Sequence, residues 1–241
     1  SKGVGMYAKD LVELLPPEVA RFLILRTHYN TAILFEPNGD TIPDLYDEFD
    51  RCAKNYFSEN PDDIELAKYY EASIIRDYFK NISFLPRFRT LSTLIQMPSV
   101  DIYEWAKNEK GSELTQDELF ILDERIEYGK KWLKDYAPQK YVYAFSQNLP
   151  ENAKNLSDEQ KIFLTALIDL LDNFYLNHPN KEGDQLQQDI FELTKKLEIS
   201  AKKAFKAIYI TLIGKDHGPK AGWIIKDFGY HNVIQRFKES L

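Results

Sequence analysis

Apolar residues recur at helical spacing along nearly the whole chain, and that period restricts the fold more than any other feature. Residues 62–79 put Ile64, Ala67, Tyr70, Ile74 and Tyr78 on one face, with Asp62 as the expected cap and Glu65 at the third helical position. Pro86 interrupts the pattern, and 87–97 and 99–108 read as further helices. Thr115 and Glu118 form a capping box ahead of a helix to about Asp135, roughly 30 Å long at 1.5 Å per residue. Ser157 and Gln160 repeat that signature before a run that buries Phe163, Leu167, Leu170, Leu171 and Phe174 and ends near Asn177. Helices over 183–197 and 200–213, a short one to Phe228 and a last one from about His231 complete the set, with Gly214 and Gly229 at stops. The expectation is an all-α chain, a helical bundle or superhelical cage, with no internal repeat. Only Ala32-Ile33-Leu34-Phe35 and the Tyr141–Phe145 run leave room for extended chain, and an isolated strand lacks a partner.

The amino-terminal fifty residues carry the densest local signals. A Ser1-Lys2-Gly3 loop leads into helix, and Pro16-Pro17 with Glu18 marks a helix start. Val19, Phe22, Leu23 and Arg26 share one face, and Pro37-Asn38-Gly39-Asp40 makes a turn. An amphipathic helix then carries Asp47-Glu48-Phe49-Asp50-Arg51. Its carboxylates read as solvated, with Arg51 or Arg21 as partner, rather than as metal ligands.

Composition narrows the functional classes. The 241 residues are 44% apolar and 29% charged, which is globular rather than disordered. Cys52 stands alone, so no internal disulfide forms, and a reducing cytosol is expected. No run approaches a membrane span, so no membrane partner is expected, and no signal peptide is visible in the sequence as it stands. A net charge of -7 argues against a DNA-coating protein but leaves room for a local basic patch. No metal-binding spacing occurs, and His28 and His178 read as exposed loop residues.

The order of these elements resembles the segment that leaves the catalytic domain of class I lysyl-tRNA synthetases. In that family a KMSKS loop, usually written KMSSSKG, precedes a PPE-x-x-R helix, an I-x-F-(D/E)-P turn and an IP-x-L-x-DE-(F/Y)-DR helix. Ser1-Lys2-Gly3, Pro17-Glu18, Arg21-Phe22, Arg26-Thr27, Phe35-Glu36-Pro37, Ile42-Pro43 and Asp47-Glu48-Phe49-Asp50-Arg51 match that series. The resemblance implies a stem-contact-like region over 1–59 and an α-helical anticodon-binding domain over 60–241, with room for a subdomain break near 136–156. It makes Ser1 and Lys2 the end of the ATP-binding loop. Lys2 is then the catalytic lysine, which stabilises charge on the ATP phosphates during adenylate formation. The full-length enzyme would use ATP with magnesium and attach lysine to tRNA(Lys). This stretch, without the HIGH motif, is expected to be inactive alone, to need no cofactor of its own, and to act in the cytoplasm beside the remaining catalytic domain of the same chain.

Two loops carry the binding expectation. Residues 208–222 are similar to the family's L-x-G-(K/R)-x-x-GP-(R/K)-x-G turn, which related glutamyl enzymes set against the anticodon. Lys215, His217, Gly218, Pro219 and Lys220 are the candidates there. Between Lys195 and Lys226 the sequence has eight lysines against Glu198 and Asp216, and the helix start at Pro219 offers free N–H groups. The second loop supplies Arg87 and Arg89; Arg87 and Leu91 keep an arginine–leucine spacing that related enzymes place near the third anticodon base. Phe88 reads as core. If both loops line one groove, an unstacked anticodon would lie in it. Two alternatives stand beside this reading: a helical protein-interaction scaffold, which predicts repeats, and the equivalent part of a glutamyl-type synthetase. The PPE-x-x-R and Asp-Glu-Phe-Asp-Arg elements favour lysine.

Overall fold

A computed structural model describes residues 8–28, 30–33, 35–98, 100–178, 181 and 183–241. The chain divides into two compact units, one made of the residues up to 96 with 101–142 and one of 97–100 with 143–241. Among the described residues every regular element is a helix. None of these helices is long and apolar enough to cross a membrane.

The first unit opens with α1 (Ala8–Leu14) and α2 (Pro17–Leu25), where Pro17 sits at the first helical position and needs no hydrogen-bond acceptor. Next come α3 (Thr41–Tyr56) and α4 (Ile64–Ser73), which pack side by side. Then follow α5 (Phe88–Leu94), α6 (Ile102–Lys110) and α7 (Gln116–Asp135), with the Thr115–Glu118 capping box in place. Aromatic rings fill the core. Phe49 lies among Phe22, Tyr70 and Phe79, and Tyr46 stacks on Phe88 at 4.1 Å between ring centroids. Phe88 is fully buried, as its place in the pattern implied.

The run over 62–79 is not one helix. Asp63, not Asp62, caps α4, its Oδ1 accepting from the Glu65 and Leu66 amides. The helix stops at Ser73, and Ile74 is extended. Burial supplies the reason. Glu18 is fully buried and needs a cation, and the break lets Arg76 reach both Glu18 and Glu124. A short 3-10 turn, Asp77–Lys80, then returns Phe79 to the core, where its carbonyl accepts from Tyr70 Oη at 2.9 Å.

The Ile33 stretch holds no strand among the described residues, and Leu34 lies outside them. The Tyr141–Phe145 run starts in a 3-10 turn, Gln139–Tyr141, and continues without regular structure.

In the second unit, α8 (Asp158–Asn173) packs against α10 (Ala201–Ile213) and α12 (Tyr230–Ser240), and α9 (Gly183–Lys196) packs against α11 (Ala221–Phe228). The Ser157–Gln160 capping box opens α8. Gly222 is where α11 meets α9. A Cβ there would sit 2.1 Å from the Gly183 carbonyl oxygen, so only glycine permits the approach. The core is mainly aliphatic with a few embedded rings; Phe163, Leu167, Ile208, Leu212, Ile225 and Phe237 are all within 2% of full burial.

Candidate nucleic-acid interface

In the second unit the candidates lie on the turn between α10 and α11. Gly214 ends α10 in the left-handed conformation, φ 70°. Tyr209 Oη donates to the Pro219 carbonyl at 2.6 Å, and Asn152 Nδ2 donates to the Gly214 carbonyl at 3.1 Å, so both ends of the turn are pinned. Pro219 is buried, and Gly218 lies against the Tyr209 ring. His217 is exposed on this fixed turn, with no hydrogen-bond or ion-pair partner among the described residues. Its ring is free to stack on a base or bond to one.

The lysines are less available than their number suggests. Lys195 pairs with Glu192, Lys203 with Glu159, Lys206 with Asp216 and Lys220 with Asp184. Lys215 lies 4.7 Å from the centroid of Tyr143, and burial lowers its pKa. The local sequence count missed these carboxylates because Glu159, Asp184 and Glu192 lie outside the lysine-rich segment. All four pairs are exposed, so each holds its lysine weakly.

Arg87 and Arg89 belong to the first unit. Arg87 stands just before the first residue of α5, and its guanidinium makes a two-point contact with Asp47: Nε to Oδ1 at 2.9 Å and Nη2 to Oδ2 at 2.8 Å. The hydrogen bond from Arg87 is the chief reason the Asp47 carboxyl titrates below its usual range. The Arg87 side chain is still 61% exposed, and its Nη1 has no partner among the described residues. Asp47 therefore fixes the plane of the guanidinium and leaves Nη1 unpaired among the described residues.

Arg89 is tied more fully, with Nε on Asp47 at 2.8 Å and its other nitrogens on Asp44 and the Tyr141 hydroxyl. Leu91 is fully buried with Ala106 and Leu122, so it does not face a ligand. The acidic run on α3 is paired with neither Arg51 nor Arg21. Asp47 holds Arg87 and Arg89, Glu48 holds Arg26, and Asp50 holds the buried Arg125. These partners come from α2, α5 and α7, which no local spacing announces. Ser1 and Lys2 lie outside the described residues.

The family of class I (K) tRNA synthetases matches residues 1–76, and the anticodon binding domain family matches residues 85–241. A lysine–tRNA ligase of Methanosarcina barkeri is 30% identical over 254 residues, which takes in 100% of this chain and 46% of the relative. The enzyme of that name from Thermococcus kodakarensis is 31% identical, covering 99% and 46%, and that of Archaeoglobus fulgidus 29%, covering 100% and 45%. The chain thus spans about half the length of the curated relatives it matches.

Proposed function

The chain belongs to the anticodon binding domain family, and from that premise we propose that it binds the anticodon of tRNA(Lys) as the C-terminal part of a lysine–tRNA ligase. The whole enzyme would attach lysine to that tRNA in the cytoplasm, using ATP with magnesium. Residues 1–59 would connect the catalytic domain to an anticodon-binding domain over 60–241. Ser1 and Lys2 would close over the ATP phosphates, with the rest of that site supplied by the catalytic domain. The observation that carries the reading is the family match over 85–241, which encloses both candidate loops.

Exposure and pairing support the following roles within that reading. His217 offers an open ring for a splayed base, and Lys220 and Lys215 lie on the same turn to meet phosphates. Arg87, held flat by Asp47, presents Nη1 to a base edge. Arg89 keeps α3 and α5 together behind it.

Gel-shift titrations with lysine and glutamate tRNA transcripts test the function. Lysine tRNA should bind more tightly, and affinity should fall as salt rises, because phosphate contacts release counterions. Arg87→Ala and His217→Ala should each weaken binding about tenfold, in line with ~1–3 kcal/mol for a base contact, without unfolding the chain. Unchanged affinity in both variants removes these residues from the site. ATP–pyrophosphate exchange by this chain alone would refute its expected inactivity.

A further inference from the structure

A cleft of about 480 Å³ opens in the first unit between the C-terminal half of α3 and residues 82–85. That volume suits a small ligand or a single nucleotide. Asp50 and Lys54 line it from one face of α3, Phe57 stands at the helix end, and Phe84 and Leu85 form the opposite wall. Phe57, which also meets the Tyr56 and Tyr70 rings, is 39% exposed and Phe84 is half-buried, so each leaves part of an aromatic ring open at the cleft.

Its polar groups are unusual in their state. Asp50 and Lys54 stand four residues apart on a helix, the spacing at which opposite charges ordinarily pair. Here they do not. Both Asp50 oxygens are turned to Arg125, and Lys54 has no ion-pair or hydrogen-bond partner among the described residues. Each carboxylate oxygen keeps acceptor capacity beyond its one bond to Arg125. The cleft therefore places an acceptor and a free ammonium donor about one helical turn apart, between two aromatic rings. Asp47, which clamps Arg87, lies one turn earlier on α3.

We propose that this cleft is a subsite for one unstacked RNA nucleotide, next to the one that Arg87 reads. This rests on the anticodon-binding function proposed above. The base stacks against Phe57 and Phe84, donates an N–H to Asp50 and accepts from Lys54. A carbonyl is the better acceptor for an ammonium ion, which disfavours adenine, the one base without a carbonyl. Stacking tolerates any base, and the two edge contacts supply the preference.

The test uses the whole chain and a lysine tRNA anticodon stem-loop carrying 4-thiouridine at each loop uridine in turn. After irradiation, mass spectrometry maps the attached peptide. The expected result is attachment within residues 54–58 or 82–85 from one loop position. Lys54→Ala, at an exposed side chain, should weaken binding of the stem-loop about fivefold to tenfold with an unchanged thermal midpoint, and Phe57→Leu, which also gives up ring contacts with Tyr56 and Tyr70, should weaken it by a similar factor in the folded chain. If the RNA binds but attaches only elsewhere, or if both variants bind as the unaltered chain does, the subsite is overturned while the anticodon reading stands. If the unaltered chain does not bind the stem-loop, both fall together.

Discussion

In the first unit Glu18, Glu118 and Arg125 lie inside the fold, each held by opposite charge. In the second, the interior is mostly leucine, isoleucine and small residues with Phe163, Tyr175 and Phe237 among them, and its buried arginine, Arg236, is held mainly by the carbonyls of Ser146, Gln147 and Asn148. The two units bury helix faces by different means. Paired charges are directional and fix how α3, α5 and α7 are turned against one another. Close aliphatic packing fixes distance, as where Gly222 lets α11 touch α9. The same contrast extends to the surface. The first unit presents an arginine clamped in one orientation, whereas the second presents lysines in loose exposed pairs around a fixed turn. The first should therefore fail on loss of charge, and the second on gain of volume.

The severest break of this comparison is Arg125→Ala. It leaves the mostly buried Asp50 with no cation, and the Pro86 carbonyl loses its 2.7 Å donor. A loss of about 3–5 kcal/mol is expected at neutral pH, since deleting one member of a buried pair strands the other. The loss should shrink in acid, because the stranded Asp50 can then take up a proton. Urea titration with hydrogen exchange mapped by segment would show protection lost in the first unit alone.

Glu118 gives the next effect. Burial pushes its carboxyl up, but bonds from Lys110, the Thr115 amide and Ser83 outweigh that and bring it down to about 2. The unfolded chain thus binds this proton more readily than the folded one. Its contribution, roughly 3 kcal/mol from the size of that shift, is complete above the ordinary carboxylate range and fades as pH falls towards 2. Glu118→Gln should therefore destabilise at pH 7 and matter progressively less below about pH 4.5, read from unfolding midpoints across a pH series.

Gly222→Ala breaks the other side. The added methyl meets the Gly183 carbonyl and the Gln187 amide, both backbone, so α9 and α11 must separate. A cost of about 2–3 kcal/mol is expected, confined to the second unit and independent of pH between 4 and 8. A pH-dependent loss, or exchange spreading through the first unit, would contradict the contrast drawn here.

Much of this molecule could be read from local pattern. The capping boxes at Thr115 and Ser157 and the stops at Gly214 and Gly229 act within one helical turn, and both boxes and both glycine termini stand where the spacing put them. What escaped was non-local. The break after Ser73 exists because Glu18, 58 residues before Arg76, needs its guanidinium. The pairing of Asp47 with Arg87 spans 40 residues, and no helical period encodes it. Counting lysines between 195 and 226 suggested a basic turn, but the carboxylates that temper it come from Glu159, Asp184 and Glu192. Leu91 shows the converse: a motif spacing can be met by a side chain wholly inside the core.

The smallest expected effect sharpens the surface half of the comparison. Asp47→Asn removes the charge that holds Arg87 while leaving an amide of the same shape. Two consequences oppose each other. The local field becomes more positive, which raises affinity for any RNA by about twofold, a gain that vanishes in high salt. The guanidinium also loses its two-point clamp, so it must be ordered on each binding event. Discrimination between lysine tRNA and a transcript altered at the base facing Arg87 should therefore fall about threefold, even as total affinity holds or rises. Lys220→Ala, on the second unit, should do the reverse: affinity drops about twofold for both transcripts, and their ratio stays fixed, because an exposed lysine on a phosphate carries no sequence information. Parallel salt titrations of the two variants against both transcripts separate an oriented arginine from a diffuse cation. An unchanged ratio in the Asp47 variant would mean that the clamp at Asp47 serves packing alone.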